Sequence, residues 1–189
     1  MIPAHGPKPC LSFCFGRLGD RRSYLFIKSE LLPAIHKLTG IEHFASTAFA
    51  GFSLGGLSAL DIAWHNPELF DKAGIFSGSF WWRSKDLNKG YTDSDRIMHS
   101  IIRQTQAKPG LKIWLQTGTK DETADRNKNG IIDSIDDTVD LIEELELKAL
   151  NALKTFNTLK CLAAATIWQP GPKQCLSFCF GRLGGDNLI

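Results

Sequence analysis

Residues 44–64 read Phe44-Ala45-Ser46-Thr47-Ala48-Phe49-Ala50-Gly51-Phe52-Ser53-Leu54-Gly55-Gly56-Leu57-Ser58-Ala59-Leu60-Asp61-Ile62-Ala63-Trp64. The first third is short and apolar, as a buried strand is, and the last third has the composition of a buried helix. Between them Gly51-Phe52-Ser53-Leu54-Gly55 fits G-x-S-x-G, the pattern of a serine on a tight strand-to-helix turn. Such a turn thrusts the hydroxyl out of the sheet and points the free N–H groups of the new helix at any oxyanion formed there. The glycines fit because a larger side chain would block the close helix–strand approach. The bland alternative is a glycine-rich junction with an incidental serine.

Working outward, strands and helices alternate. Ser23–Leu38 carries Tyr24, Ile27, Leu31 and Ile35 as a stripe at helical spacing, with Pro33 expected to kink it. A strand is expected over Phe44–Phe52 and a helix over Gly55–Asn66, ending before Pro67. Lys72–Phe76 reads as a second strand, followed by the turn Ser77-Gly78-Ser79 and the aromatic run Phe80-Trp81-Trp82. Asp93–Gln106 reads as a helix capped by Asp93, and Leu111–Gln116 as a third strand. A long helix from Ile135 to about Phe156 would bury Ile135, Val139, Ile142, Leu145, Ala149 and Leu153. This alternation implies a parallel sheet covered on both faces, with Ser53, Ser79 and Asp121 at the carboxyl ends of its strands.

Over Tyr24–Leu159 the chain resembles the putative-esterase branch of the α/β-hydrolases, the group around esterase D and enterochelin esterase. The residues that carry the resemblance are Glu30-Leu31-Leu32-Pro33-Ala34-Ile35, Ala50 to Leu60, His65-Asn66-Pro67-Glu68-Leu69-Phe70, Phe76 to Trp82 and Gly118-Thr119-Lys120-Asp121-Glu122. The resemblance implies a partial α/β-hydrolase fold, three-layered, with a short and mainly parallel sheet. It implies a serine esterase acting on a small ester through an acyl-serine, with no cofactor required for catalysis. Ser53 would be the nucleophile, the N–H of Leu54 an oxyanion donor, and Asp121 the triad acid, with Glu122 as its substitute. Two family parts lack a counterpart in the match: the N-terminal half of the sheet with its second oxyanion donor, and the histidine. Triad order in this fold is Ser, acid, His, yet the histidines are His5, His36, His43, His65 and His99, and none follows Asp121. His65, a dozen residues beyond Ser53, would lie ~18 Å along the helix at 1.5 Å per residue. The expectation is a domain shortened at both ends. The alternative is a non-catalytic remnant whose remaining property is cation binding or a protein contact, and a third is a rearranged reading frame that does not fold stably.

Asp125-Arg126-Asn127-Lys128-Asn129-Gly130-Ile131-Ile132-Asp133-Ser134-Ile135-Asp136 fits the calcium-loop pattern D-x-[DN]-x-[DN]-G. Asp125, Asn127, Asn129, Asp133 and Asp136 would offer side-chain oxygens and Ile131 its carbonyl, while Gly130 permits the sharp turn. Asp136 in place of a final Glu favours weak binding or a smaller ion. The ion would be structural, fixing the loop that carries Asp121; the alternative is a polar surface turn.

Net charge is +2, but residues 121–146 hold ten acids against Arg126 and Lys128, −8 locally, so the remainder carries +10. That basic remainder is scattered and lacks interleaved aromatics, so no nucleic-acid partner is expected. No run reaches the ~20 apolar residues of a membrane span, and residues 1–9 lack the apolar core of a signal peptide, so the sequence as it stands reads as cytoplasmic. Residues 6–19 and 171–184 match at thirteen of fourteen positions, and this peptide holds four of the five cysteines. Two copies 165 residues apart are not a solenoid, and Leu-Ser-Phe between the cysteines suits an apolar strand better than a metal knuckle. The organisation expected is a duplicated peptide at 1–22, poorly ordered, a hydrolase domain at 23–160, and a C-terminal segment at 161–189 with the second copy. Phe80-Trp81-Trp82 reads as an acyl or sugar pocket or as core, and Trp64, Trp114 and Trp168 as core. A sheet edge left exposed would favour self-association.

Overall fold

A computed structural model describes residues 21–156 and 175–180. The first copy of the duplicated peptide, His5, Cys161 and Trp168 lie outside them. The elements are α1 (Arg21–Phe26), a π-helical turn (Ile27–Leu31), α2 (Leu32–Thr39), β1 (Ala48–Phe52), α3 (Leu54–His65), β2 (Lys72–Phe76), α4 (Ile97–Gln104), β3 (Lys112–Gly118), α5 (Asp133–Phe156) and β4 (Cys175–Phe180). The fold is α/β, with sheet order β1-β2-β3-β4. β1, β2 and β3 run parallel in the register Phe49↔Ala73↔Ile113 and Gly51↔Ile75↔Leu115. β4 is antiparallel to β3, from Ile113↔Phe180 to Gly118↔Cys175. The hexapeptide Cys175–Phe180 of the second repeat copy therefore extends the sheet.

Alternation along the strands separates two faces. Phe49, Gly51, Ala73, Ile75, Ile113, Leu115 and Thr117 are buried. α3 lies on this face, so close that a Cβ on Gly51 would stand 2.1 Å from Gly55 O. α5 lies on it too, with Thr117 Oγ1 3.0 Å from Ser134 Oγ. α4 packs on α5. The core between sheet and helices holds Leu57, Leu60, Ile75, Leu115, Met98, Ile102 and Leu141. The opposite face carries Ala50, Phe52, Gly74, Phe76, Trp114 and Gln116, none of them fully buried. The second helical layer expected there is not among the described residues.

Several boundaries differ from expectation for identifiable reasons. β1 starts at Ala48 rather than Phe44, because Thr47 O accepts N–H bonds from Asp71 and Lys72 and the parallel ladder begins only beyond that point. Pro33, expected to kink the first helix, follows a π-helical turn, Ile27–Leu31. It has no N–H to give, and the preceding turn widens, with Leu32 N–H bonding Ile27 O. The expected Asp93–Gln106 helix divides into a single 3-10 turn, Asp93–Asp95, and α4. Its cap is Thr92, not Asp93, in a capping box with Asp95. The expected stripe on α5 holds at Ile142 and Leu145, which are buried, but is displaced in the first half, and the side chain of Leu153 lies outside the described residues. Val139 is 37% exposed, and the inner face is made by Ser134, Asp137, Thr138, Leu141 and Leu145. Its first half is polar because it serves Arg96, Arg126 and His99, described below. Trp64 is core, with its indole N–H on Thr105 Oγ1 at 2.8 Å. Trp114 is not: it is 43% exposed, on the uncovered face.

Candidate active site

Ser53 joins β1 to α3 with φ 55° and ψ −123°, a conformation rare for a residue with a side chain. The surroundings impose it. Ser53 N–H donates to Phe76 O on β2 at 3.0 Å, and Ser53 O accepts from Gly56, Leu57 and Ser79 N–H at 3.0–3.1 Å. The hydroxyl is left at the carboxyl end of the sheet beside the first turn of α3. There the N–H of Leu54 has no helix-internal acceptor.

The chain after β2 forms the second wall. Ser77 also has positive φ, 48°, and its N–H donates to Gln116 O at 2.6 Å. Ser79 is buried, and its Oγ lies 3.2 Å from Ser53 Oγ. Ser77 Oγ donates to Asp121 Oδ2. Asp121 sits just beyond β3, where Gly118 N–H donates to its carboxylate at 2.6 Å and its own N–H returns to Gly118 O at 3.2 Å. Ser53, Ser79 and Asp121 thus meet at the strand ends, as the sequence implies, and one turn touches both Ser53 and Asp121. Sequence reasoning put Ser79 at the strand ends without a role and left Ser77 out; the signal for both is their place directly after a strand. Glu122 turns away. Its carboxylate accepts the Ser134 N–H at the start of α5, and burial raises its pKa above the usual carboxylate range.

His36, His65 and His99 have other partners, and His43 is exposed. His36 Nδ1 bonds Ile41 O at 2.5 Å, with its ring stacked on Phe44. His65 Nδ1 faces Asp61, 2.9 Å from its carbonyl and 3.0 Å from its carboxylate, and that hydrogen bond raises the imidazole pKa. His99 is fully buried, with Nε2 2.9 Å from Asp137 O and its ring edge-on to Phe80. Burial pushes its pKa down to about 3, and the charge of Arg96 adds to that. Among the described residues, Ser79 is the hydrogen-bond partner of the Ser53 hydroxyl, and no imidazole is. Phe80 is core, while Trp81 and Trp82 are half-buried.

The acidic loop flanks the site. Asp125 accepts the N–H of Asn129 at 3.2 Å and of Gly130 at 2.9 Å. Asn127 Oδ1 accepts from Asn129 N–H, and Asn129 Oδ1 from Ile131 N–H. Asp136 Oδ2 takes the amides of Asn127 and Asn129 at 2.7 and 2.8 Å. Gly130 has φ 87°, the left-handed turn that glycine favours. Asp125, Asn127, Asn129 and Asp136 therefore converge, and the side chain of Ile131 is exposed. Asp133 does not join them. Its Oδ1 accepts the Arg126 N–H at 2.9 Å and lies 3.2 Å from the Arg126 guanidinium. That guanidinium, with Arg96, closes on the wholly buried Asp137. Among the described residues no three or more His, Cys, Asp or Glu side chains are grouped to hold a metal ion.

A model of the Putative esterase family matches residues 18–156. The iron(III) enterobactin esterase of Escherichia coli (strain K12) is 31% identical over 99 residues, 52% of this chain and 24% of that protein. The iron(III) enterobactin esterase of Dickeya dadantii (strain 3937) is 28% identical over 96 residues, 50% of this chain and 22% of that protein. The crystal structure of the enterobactin esterase from Shigella flexneri in the presence of enterobactin aligns with 29% identity and a TM-score of 0.41, over 50% of this chain and 23% of that one. The chain spans about a quarter of the length of the relatives it matches.

Proposed function

We propose that this chain, which belongs to the Putative esterase family, carries the acyl-accepting site of a carboxylic ester hydrolase with Ser53 as nucleophile. The observation that supports this reading is the strained conformation of Ser53 at the junction of a parallel strand and a helix. Ser53 Oγ attacks the ester carbonyl carbon, the bond to the alcohol breaks, and water later releases the acid from the serine. The carbonyl oxygen becomes an oxyanion facing the first turn of α3, where the Leu54 N–H donates to it. Asp121 is the acid of the site, ordering Ser77 and the turn beside Ser53. The names of the relatives point to an enterobactin-type ester as the substrate class.

The proton of Ser53 needs an acceptor. Among the described residues the imidazoles with hydrogen bonds use them elsewhere, so solvent hydroxide takes it, leaving as water, and acylation is slow. A fluorophosphonate probe tests this on folded protein. The expected result is labelling that Ser53→Ala abolishes. The rate should rise about tenfold per pH unit from pH 6 to 9, with no inflexion near the imidazole value of about 6.5. A bell or plateau near that value would reveal an imidazole base. No labelling at any pH would overturn the enzyme reading and favour the second one, a non-catalytic family member whose remaining property is the cation loop at 125–136. The engagement of His36, His65 and His99 elsewhere is what favours that reading.

A further inference from the structure

We infer that Ser79 is a positioning residue for Ser53: its buried hydroxyl donates to Ser53 Oγ and holds the nucleophile in its attacking rotamer. The inference rests on the reading of Ser53 as nucleophile. The two oxygens are 3.2 Å apart, and Ser79 is 4% exposed, whereas Ser53 is half-open to solvent. A hydroxyl carries one proton, and a buried donor that finds no acceptor loses free energy on folding. Among the described residues, Ser53 Oγ is the hydrogen-bond partner of Ser79 Oγ, so the Ser79 proton goes there. The more open Ser53 keeps its own proton for removal. The backbone makes the pairing rigid, because Ser79 N–H donates to Ser53 O at 3.1 Å. Gly78 packs closely between Ile75 and Phe80, with no room for a side chain: a Cβ there would lie 2.7 Å from Ile75 Cγ2 and 2.8 Å from the Phe80 ring. Ser77, bonded to Asp121, holds the other end. A hydrogen bond to the deprotonated oxygen also favours that form, so Ser79 eases the proton loss that the site otherwise performs unaided.

Two measurements test it. In probe kinetics Ser79→Ala should lower the labelling rate constant about tenfold, the worth of one neutral hydrogen bond. The saturation constant for the probe and the melting temperature should change little, and Ser79→Thr should restore most of the rate. Equal rates for the parent and Ser79→Ala would overturn the inference. If the parent is not labelled, the nucleophile reading fails by itself, and the second measurement decides the role of Ser79. The thiol introduced by Ser53→Cys is titrated by its ultraviolet absorbance, with and without Ser79→Ala. A thiol that ionises at higher pH once Ser79 is removed supports the hydrogen bond; an unchanged titration overturns it.

Discussion

Gly51 and Ser53 impose opposite demands on their side chains. At Gly51 no side chain fits, because a Cβ would stand 2.1 Å from Gly55 O and 2.3 Å from its carbonyl carbon. Both are backbone atoms of α3 and cannot swing aside. Gly51→Ala must push the helix off the strand, and we expect a loss of about 3 kcal/mol or more, read from the denaturant midpoint. Gly130→Ala is the control. It meets nothing within 4 Å and strains only φ 87°, so it should cost about 1 kcal/mol. Equal losses would mean that α3 yields where its backbone suggests it cannot. The difference was legible in part. G-x-S-x-G announced the elbow, and Gly-Thr-Lys-Asp after a strand placed Asp121. Ser77 was not recognisable as a site residue, and Ser79 had a place at the strand ends but no partner, because their partners lie 44 and 26 positions away. Only the parallel register of β1, β2 and β3 turns those separations into contacts.

α5 shows why apolar periodicity located the helix and its later inner residues, Ile142 and Leu145, but misjudged the first half of its inner face. The first half of that face binds charge: Asp137 takes both Arg96 and Arg126, and its carbonyl takes His99. A reading that counts only apolar positions slides toward Val139, which is exposed. Arg126 is 11 positions away, and Arg96 and His99 lie 41 and 38 residues away at the start of α4 and on it, outside any local window. His99 makes this element sensitive to acid. Burial and the nearby Arg96, Arg103 and Arg126 lower its folded pKa to about 3, against about 6.5 unfolded. Between those values the unfolded chain binds a proton that the folded chain refuses, so stability falls as pH drops from about 6.5 toward about 3. His99→Gln should lose stability less steeply than the parent from pH 7 to 4, in melting temperature against pH. Parallel curves would remove His99 as the cause. The neighbouring loop makes a separate prediction. Asp125, Asn127, Asn129 and Asp136 converge, so calcium should raise the melting temperature, and Asp125→Ala should abolish the rise. No calcium-dependent shift in the parent would leave Arg126, bonded to Asp133 and Asp137, as the cation that organises the segment.

The whole molecule is a sheet with helices described on one face only. Parallel sheets ordinarily have both faces covered, and the alternation of strands and helices gave no hint of which layer would lie outside the described residues. Among the described residues β1 has a strand partner on one side only, so its other edge offers unpaired N–H and C=O groups. On the uncovered face Phe52 is 63% exposed, Phe76 40% and Trp114 43%. Phe52 and Phe76 are paired in register, and Trp114 lies beside Gly74 on the next strand, so the three form one apolar surface next to that edge. An open edge adjoining an apolar face is a template for pairing with another chain. We therefore expect association that increases with protein concentration, measured by light scattering across the micromolar range. Phe52→Lys with Trp114→Lys should shift it to higher concentration. Phe52 is largely in solvent and Trp114 less than half so, so the cost to folding should be within about 0.5 kcal/mol at Phe52 and about 1 kcal/mol at Trp114. A parent that stays monomeric over the whole range would show that this face is covered within one chain, and the lysine pair would then lower the melting temperature instead of the mass.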